Sequence, residues 1–259
     1  MGDRIASVRW IYLSPHPDDA ALCAGGLIHD QAQAGARVEI WTLMSGVPGA
    51  EALSDFASEM HARWSTTTSR ETVEVRRRED LEAGRLLGAT VVHFDFEDSI
   101  YRRAPDGAAL YADPVGAPLR AEDATLPAQI ARTLITRLDG EDVLVCPLGV
   151  GDHVDHVLVR RAAEMLDRPL LYVADIPYVL KRPASVEVKT PGMVETVFRV
   201  TTAGAEAWIG AVASYRSQLR AVFEKLDVSK AIRDYWISVG GIRVWTPRRP
   251  STPAPLPRA

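Results

Sequence analysis

Little in this sequence points to disulfides, membranes or nucleic acid. Its 259 residues include two cysteines, Cys23 and Cys146, far apart and each in apolar surroundings. Such a pair builds no disulfide framework and suggests a reducing compartment. No apolar run approaches the roughly 20 residues that a membrane helix needs. The opening "MGDRIASVRW" lacks the basic-then-apolar layout of a secretory signal, so the expected location is the cytoplasm. The net charge is a mild −4. The short basic cluster Arg76–Arg78 reads as a helix face, not as a nucleic-acid footprint.

Several catalytic signatures are missing too. There is no P-loop, and the glycines of "GGLIHDQAQAG" fall too late in the turn for a dinucleotide fingerprint, which argues against an NAD-dependent enzyme. Ser14 and Ser45 lie at strand ends near histidines, but neither stands in a G-x-S-x-G elbow. Cys146 precedes a proline inside a strand and reads as core.

What is present is an alternation of short apolar runs with helical periods. "VRWIYLS" (8–14), "RVEIWTLMS" (37–45), "TVVHFDF" (90–96), "DVLVCPLG" (142–149) and "PLLYVAD" (169–175) are too apolar to be half-exposed, as in a parallel sheet covered on both faces. Helices are expected at about 19–34, 69–87, 121–138 and 155–166. The reading is an α/β, Rossmann-like, doubly wound and mostly parallel sheet with helices on both faces and a C-terminal β-ribbon and helix extension. A single domain is expected over 1–245, followed by a proline-rich, disordered tail at 246–259. Two segments break the rhythm. In 46–68, Leu53, Phe56, Met60 and Trp64 recur at three or four residues and predict a short amphipathic helix. Residues 97–120 form a second excursion. Further on, "SVEVKT" and "METVFRVT" predict the ribbon, and a stripe from Trp208 to Leu226 predicts a helix over 203–226.

Two polar clusters stand where the strands end. "SPHPDD" (14–19) follows the first strand and "GDHVDH" (151–156) follows the fourth. If both strands are parallel in one sheet, the clusters meet at its carboxyl edge, where open α/β sheets bind ligands. His16, Asp19 and His156 then make a two-histidine, one-carboxylate set with an open position, suited to catalytic Zn2+ and also to Fe2+ or another divalent metal. Asp18 remains free to act as general base toward a water activated by the metal. His153 could donate a proton or stabilise an oxyanion, and Asp155 could orient His153 and favour its charged form. The plain alternatives are an N-cap for Asp18 or Asp19 and a dipole-matched helix start for "DHVDH". His29, His61 and His93 have no such partners and read as structural.

With these residues in place, the chain resembles the PIG-L/LmbE-type de-N-acetylases. The motifs are "HPDDAALCAGG", the H-x-x-H of "HVDH", and "RRREDLEAGRLLG", with Arg76, Glu79, Ala83 and Leu87–Gly88 on the family pattern. The resemblance runs from about residue 9 to 166, with a looser echo in "ASYRSQL" (213–219). It implies a metal-dependent hydrolase that removes acetyl groups from N-acetylglucosaminyl substrates. His16, Asp19 and His156 would be the metal ligands, Asp18 the base, and His153 the acid or oxyanion stabiliser with Asp155 behind it. Arg76, Ser45, Asp98 and Arg102 are the candidate substrate contacts. Some relatives carry a tyrosine shortly before H-x-x-H that helps polarise the acyl carbonyl. Here that stretch is "PLGVGD", so this task falls to the metal and His153 or to a residue from elsewhere. The segment "FDFEDSIYRRAP" (94–105) replaces the usual short loop, and Asp98, Tyr101 and Arg102 could line a pocket for a different acceptor. The implied partner is a small N-acetylated sugar or conjugate, with no nucleic acid and no membrane span; a homo-oligomer is left open. The alternatives are an amidohydrolase of a non-sugar acylated metabolite and a non-catalytic binding protein for an acetylated glycan.

Overall fold

The computed structural model describes residues 8–49, 52–183, 185–223 and 227–248. Seven strands make one sheet: β1 (Arg9–Ser14), β2 (Arg37–Thr42), β3 (Thr90–His93), β4 (Val143–Pro147), β5 (Leu170–Val173), β6 (Met193–Arg199) and β7 (Gly241–Pro247). Their order is β3-β2-β1-β4-β5-β7-β6. The first five are parallel, with Trp10 registered against both Val38 and Val143. β7 and β6 close the sheet antiparallel. From β1 the chain winds outward through β2 and β3, then returns to the other side with β4. The carboxyl ends of β1 and β4 therefore flank the switch point where such sheets open a crevice.

The helices are α1 (Asp19–Gln33), α2 (Asp55–Trp64), α3 (Ser69–Leu87), α4 (Leu126–Ile135), α5 (Val154–Glu164), α6 (Tyr178–Lys181), α7 (Ser185–Lys189), α8 (Thr202–Val212), α9 (Arg216–Phe223) and α10 (Val228–Val239). None of the described helices is long and apolar enough to cross a membrane. The Gly-Gly pair of α1 has a packing cause: a Cβ on Gly25 would lie 2.5 Å from Trp208 and one on Gly26 2.6 Å from Val200. Close approach buries Trp208 fully and lets its indole N–H donate to the Leu22 carbonyl at 3.1 Å, which fixes α8 against the helix that begins in the site.

The amphipathic pattern in 46–68 forms α2, capped by Ser54, whose hydroxyl accepts from the Ala57 N–H at 3.1 Å. Ala57 and Trp64 pack with Val73, Ile100 and Tyr101 into a small second core. The excursion at 97–120 is tied to the start of α5: Val154 N–H donates to the Pro114 carbonyl and Gly116 N–H to that of Asp152, both at 3.0 Å.

Three expectations change. "SVEVKT" is no ribbon strand, since Ser185–Lys189 turn as α7; the partner of β6 is the distant β7, a pairing that local pattern does not reveal. The helix expected over 203–226 breaks at 213–215 into α8 and α9. Within its stripe, the Val222 side chain and Leu226 lie outside the described residues, as does the expected tail from residue 249 on.

Candidate active site

The turn after β1 is folded by its own side chains. The Ser14 hydroxyl donates to the His16 carbonyl at 2.6 Å and accepts from Ala20 N–H at 3.0 Å, while His16 N–H donates to Asp19 Oδ2 at 2.8 Å. This geometry leaves Asp18 at φ 127°, ψ −37°, a left-handed conformation that non-glycine residues seldom adopt. Such strain, of order 1–3 kcal/mol, persists only where the surroundings enforce it. Asp18 occupies the N-cap position of α1 yet makes no side-chain cap hydrogen bond, so the capping alternative does not describe it. It lines a cavity instead, and burial, reinforced by the neighbouring Asp19, holds its carboxyl well above the usual carboxylate range.

The turn after β4 delivers the second cluster. His153 N-caps α5, its Nδ1 accepting from Asp155 N–H at 3.2 Å. In the neutral ring the proton therefore sits on Nε2. Burial, with His16 and His156 nearby, pushes the His153 pKa down to about 3. This corrects the expected role of Asp155. Its carboxylate turns away from the His153 ring and meets His16 Nε2 at 2.9 Å, Ser99 N–H at 3.0 Å and Arg102 Nη1 at 2.6 Å. Although Asp155 favours a charged His153 electrostatically, desolvation wins and the ring stays neutral.

Two imidazoles converge on one carboxylate oxygen. Asp19 Oδ2 lies 3.2 Å from His16 Nδ1 and 3.3 Å from His156 Nε2. Ligands at about 2.0–2.2 Å from a zinc ion stand apart by similar distances. The far nitrogen of each ring meets a buried carboxylate: Asp155 for His16, and Asp175 Oδ1 at 2.6 Å for His156. Metal-binding histidines are commonly oriented this way, with the outer N–H fixed so that the inner nitrogen keeps its lone pair. Burial opposes charge on His16, but Asp98, Asp155 and Asp19 outweigh it and push its pKa up to about 10. Burial likewise works against charge on Asp19, but the two histidines hold it well below the carboxylate range. The imidazole and carboxylate donors gathered here could hold a divalent metal. His153 brings a nitrogen within 4.8 Å of His16 and His156, and a second grouping joins His16 with Asp98 and Asp155. That second group already faces two guanidinium groups and serves better as support.

The cavity beside these residues has a volume of about 680 Å³. Phe56, Met60 and Trp64 of α2 form one wall, with Pro114 and Val115 among the others. Arg76 is buried and not a solvated helix residue: its Nη1 donates to Asp98 Oδ2 at 3.0 Å and its guanidinium lies 4.8 Å over the Trp64 ring. Arg76 and Asp98 both line the cavity. Two other candidate substrate contacts do not. Arg102 is engaged behind the site, with Asp155 and, at 3.0 Å, Asp123. The Ser45 hydroxyl donates to the Phe94 carbonyl at 2.7 Å and lies near that of Thr42, tying β2 to the segment after β3. Tyr101 also turns away, its hydroxyl meeting His61 Nε2 at 2.8 Å.

Asp175, Tyr178 and Gln218 were not among the sequence candidates. Asp175 carried a readable signal, a charge closing the apolar run "PLLYVAD" as "SPHPDD" closes the first. Gln218 reaches the cavity because "ASYRSQL" docks on α3: the Tyr215 hydroxyl donates to Asp80 at 2.7 Å and that of Ser217 to Glu79 at 2.6 Å. Asp175→Asn is expected to weaken metal affinity about 10- to 100-fold, read by competition with a chromophoric chelator. Unchanged affinity would strip Asp175 of its orienting role.

Comparison with known proteins gives a consistent picture. The family model for GlcNAc-PI de-N-acetylases, PIG-L, matches residues 11–166. The 2'-N-acetylparomamine deacetylase of Streptomyces fradiae is 30% identical over 187 residues, 70% of this chain and 62% of that protein. The chain thus spans less than two thirds of that curated relative. Among solved structures, the zinc-inhibited form of teicoplanin deacetylase Orf2 is 28% identical, covering 95% of this chain and 100% of that one at a TM-score of 0.79. The teicoplanin complex of a deacetylase from the teicoplanin pathway is also 28% identical, with coverages of 94% and 100% and a TM-score of 0.79. The A40926 pseudoaglycone deacetylase Dbv21, 24% identical with coverages of 92% and 96% and a TM-score of 0.71, shares the fold.

Proposed function

The chain belongs to the PIG-L family of GlcNAc-PI de-N-acetylases, and from that premise we propose that it is a metal-dependent N-deacetylase of acylated amino sugars. The reaction is hydrolysis of a linear amide: water adds to the acyl carbon, the C–N bond breaks, and acetate and a free amine leave. The observation that carries the reading is the convergence of His16 Nδ1 and His156 Nε2 on Asp19 Oδ2, with the Asp18 carboxyl, which makes no cap hydrogen bond, lining the same cavity. Acetylated amino sugars are favoured because the relatives named above deacetylate an acetylated paromamine and act in teicoplanin biosynthesis.

His16, Asp19 and His156 would hold the ion, with zinc and ferrous iron both compatible with these donors. A metal bound there supplies Lewis-acid polarisation of the acyl carbonyl and lowers the pKa of water toward about 7. Asp18 takes a proton as the water attacks and then passes it to the departing nitrogen. His153, neutral and protonated on Nε2, donates a hydrogen bond to the developing oxyanion and is no proton reservoir for the amine. Arg76 and Asp98 are proposed to contact the sugar from the cavity wall. Both cysteines are free and buried, in keeping with a cytoplasmic setting.

The test is product quantitation. Metal-loaded protein incubated with N-acetylglucosamine, N-acetylglucosaminides and a non-sugar acetamide is expected to release acetate and amine in equal amounts from the amino sugars. Release confined to the non-sugar amide would replace the substrate class. Binding without release would make the protein a receptor.

A further inference from the structure

The sheet ends in a long strand with a free edge. In the order β3-β2-β1-β4-β5-β7-β6, β6 is outermost, and among the described residues no strand pairs with its outer side. It runs for seven residues, Met193–Arg199, against four in β3 at the opposite end. An edge of that length offers a row of unpaired N–H and C=O groups, which proteins usually blunt with proline, lysine, a bulge or a covering loop. "MVETVFR" has neither proline nor lysine, and its residues pair one for one with Gly241–Pro247, so no bulge interrupts it. Val194 and Val197 are 45% and 41% exposed.

The ladder to β7 determines which backbone groups face outward. Its register pairs Met193 with Pro247 and Arg199 with Gly241. Just beyond its two ends, Arg248 N–H donates to the Gly192 carbonyl at 2.9 Å and Val200 N–H to that of Gly240 at 3.5 Å. Bonded and non-bonded pairs alternate along antiparallel strands. Val194, Thr196 and Phe198 therefore turn their backbone groups to β7, while Glu195, Val197 and Arg199 turn theirs away from the sheet. The side chains of these last three share one face. There Glu195 is held by Arg243 at 2.9 and 2.5 Å, whereas Arg199 is exposed and has no ion-pair partner among the described residues.

We infer that β6 pairs antiparallel with β6 of a second copy of this chain, about a two-fold axis at Val197. A two-fold contact sets a surface against itself, so the strand must complement its own reverse. The register centred on Val197 places Glu195 opposite Arg199 of the second copy, twice by symmetry, and lets the outward backbone groups of both strands exchange hydrogen bonds. Centring on Glu195 or Arg199 would oppose like charges, and centring on Thr196 or Phe198 would face neither charge with its opposite. A slip of one residue would set outward groups against groups already committed to β7.

The test is sedimentation equilibrium of the full-length protein, with circular dichroism as the control for folding. The wild type is expected to be a dimer. Val197→Pro removes an N–H that serves the outward edge alone, a place where strands accept proline, and is expected to give a folded monomer. Arg199→Glu turns two attractive cross-strand pairs into repulsive ones and is expected to weaken dimerisation at least about tenfold. A short bifunctional maleimide is expected to cross-link Val197→Cys, whose Cα atoms would lie about 5.5 Å apart at the axis. It is not expected to link Glu195→Cys, where they would lie about 14 Å apart. Cys23 and Cys146 are buried and stay out of the reaction. A wild type that stays monomeric overturns the inference and leaves the edge to a different chain. A dimer that survives both Val197→Pro and Arg199→Glu overturns it equally, since its contact lies elsewhere. Linkage of Glu195→Cys in preference to Val197→Cys would contradict the register.

Discussion

Asp18→Asn is expected to keep its metal and lose about a hundred- to ten-thousandfold in kcat, the usual worth of general acid–base catalysis. The substitution is unusually clean for a buried residue. Asparagine is among the few side chains that tolerate positive φ, so the backbone at φ 127° need not shift. The carboxyl makes no cap hydrogen bond to lose. What disappears is the capacity to take a proton, and neighbouring groups tune that capacity. Burial and Asp19 raise the proton affinity of Asp18, while Arg76 and His16 restrain it. Metal analysis beside steady-state kinetics separates the outcomes. Full turnover would remove the base assignment. Loss of metal would move Asp18 into the ligand set.

His156→Ala is expected to lose both metal and turnover. His156 is 2% exposed and stands between two carboxylates, with Nε2 toward Asp19 and Nδ1 on Asp175. Truncation leaves both acids without their shared partner, and breaking such a buried charged arrangement typically costs about 3–5 kcal/mol. Circular dichroism must therefore accompany the metal assay. A folded variant without metal supports the ligand role. A folded variant that still binds metal as tightly as the wild type would transfer that role to His153, the neighbouring imidazole within reach of His16.

Both results depend on residues that local sequence made visible. "SPHPDD" and "GDHVDH" stood out because charge at the end of an apolar run has no packing purpose, and parallel β1 and β4 do bring the two turns together. Spacing along the chain did not disclose where each side chain would turn. Asp155 lies two residues from His153, yet the first turn of α5 projects its carboxylate across the sheet edge to His16 and Arg102. Arg102 and Ser45 read as substrate contacts and are engaged as internal ties. Tyr178 reaches the cavity from the segment after β5, and β7 pairs with a strand more than forty residues away. Each of these misses concerns a contact between distant segments, which neither periodicity nor a short motif encodes.

The most direct test of the account measures acetate release against metal occupancy. Protein stripped by a chelator is reconstituted stepwise with zinc or ferrous iron, and each sample is assayed on an N-acetylglucosaminide. The account predicts no release from stripped protein, and a rate that rises in proportion to occupancy and stops rising at a single ion per chain. Added zinc does not rescue His156→Ala. Stripped protein that releases acetate as fast as the reconstituted enzyme would contradict it.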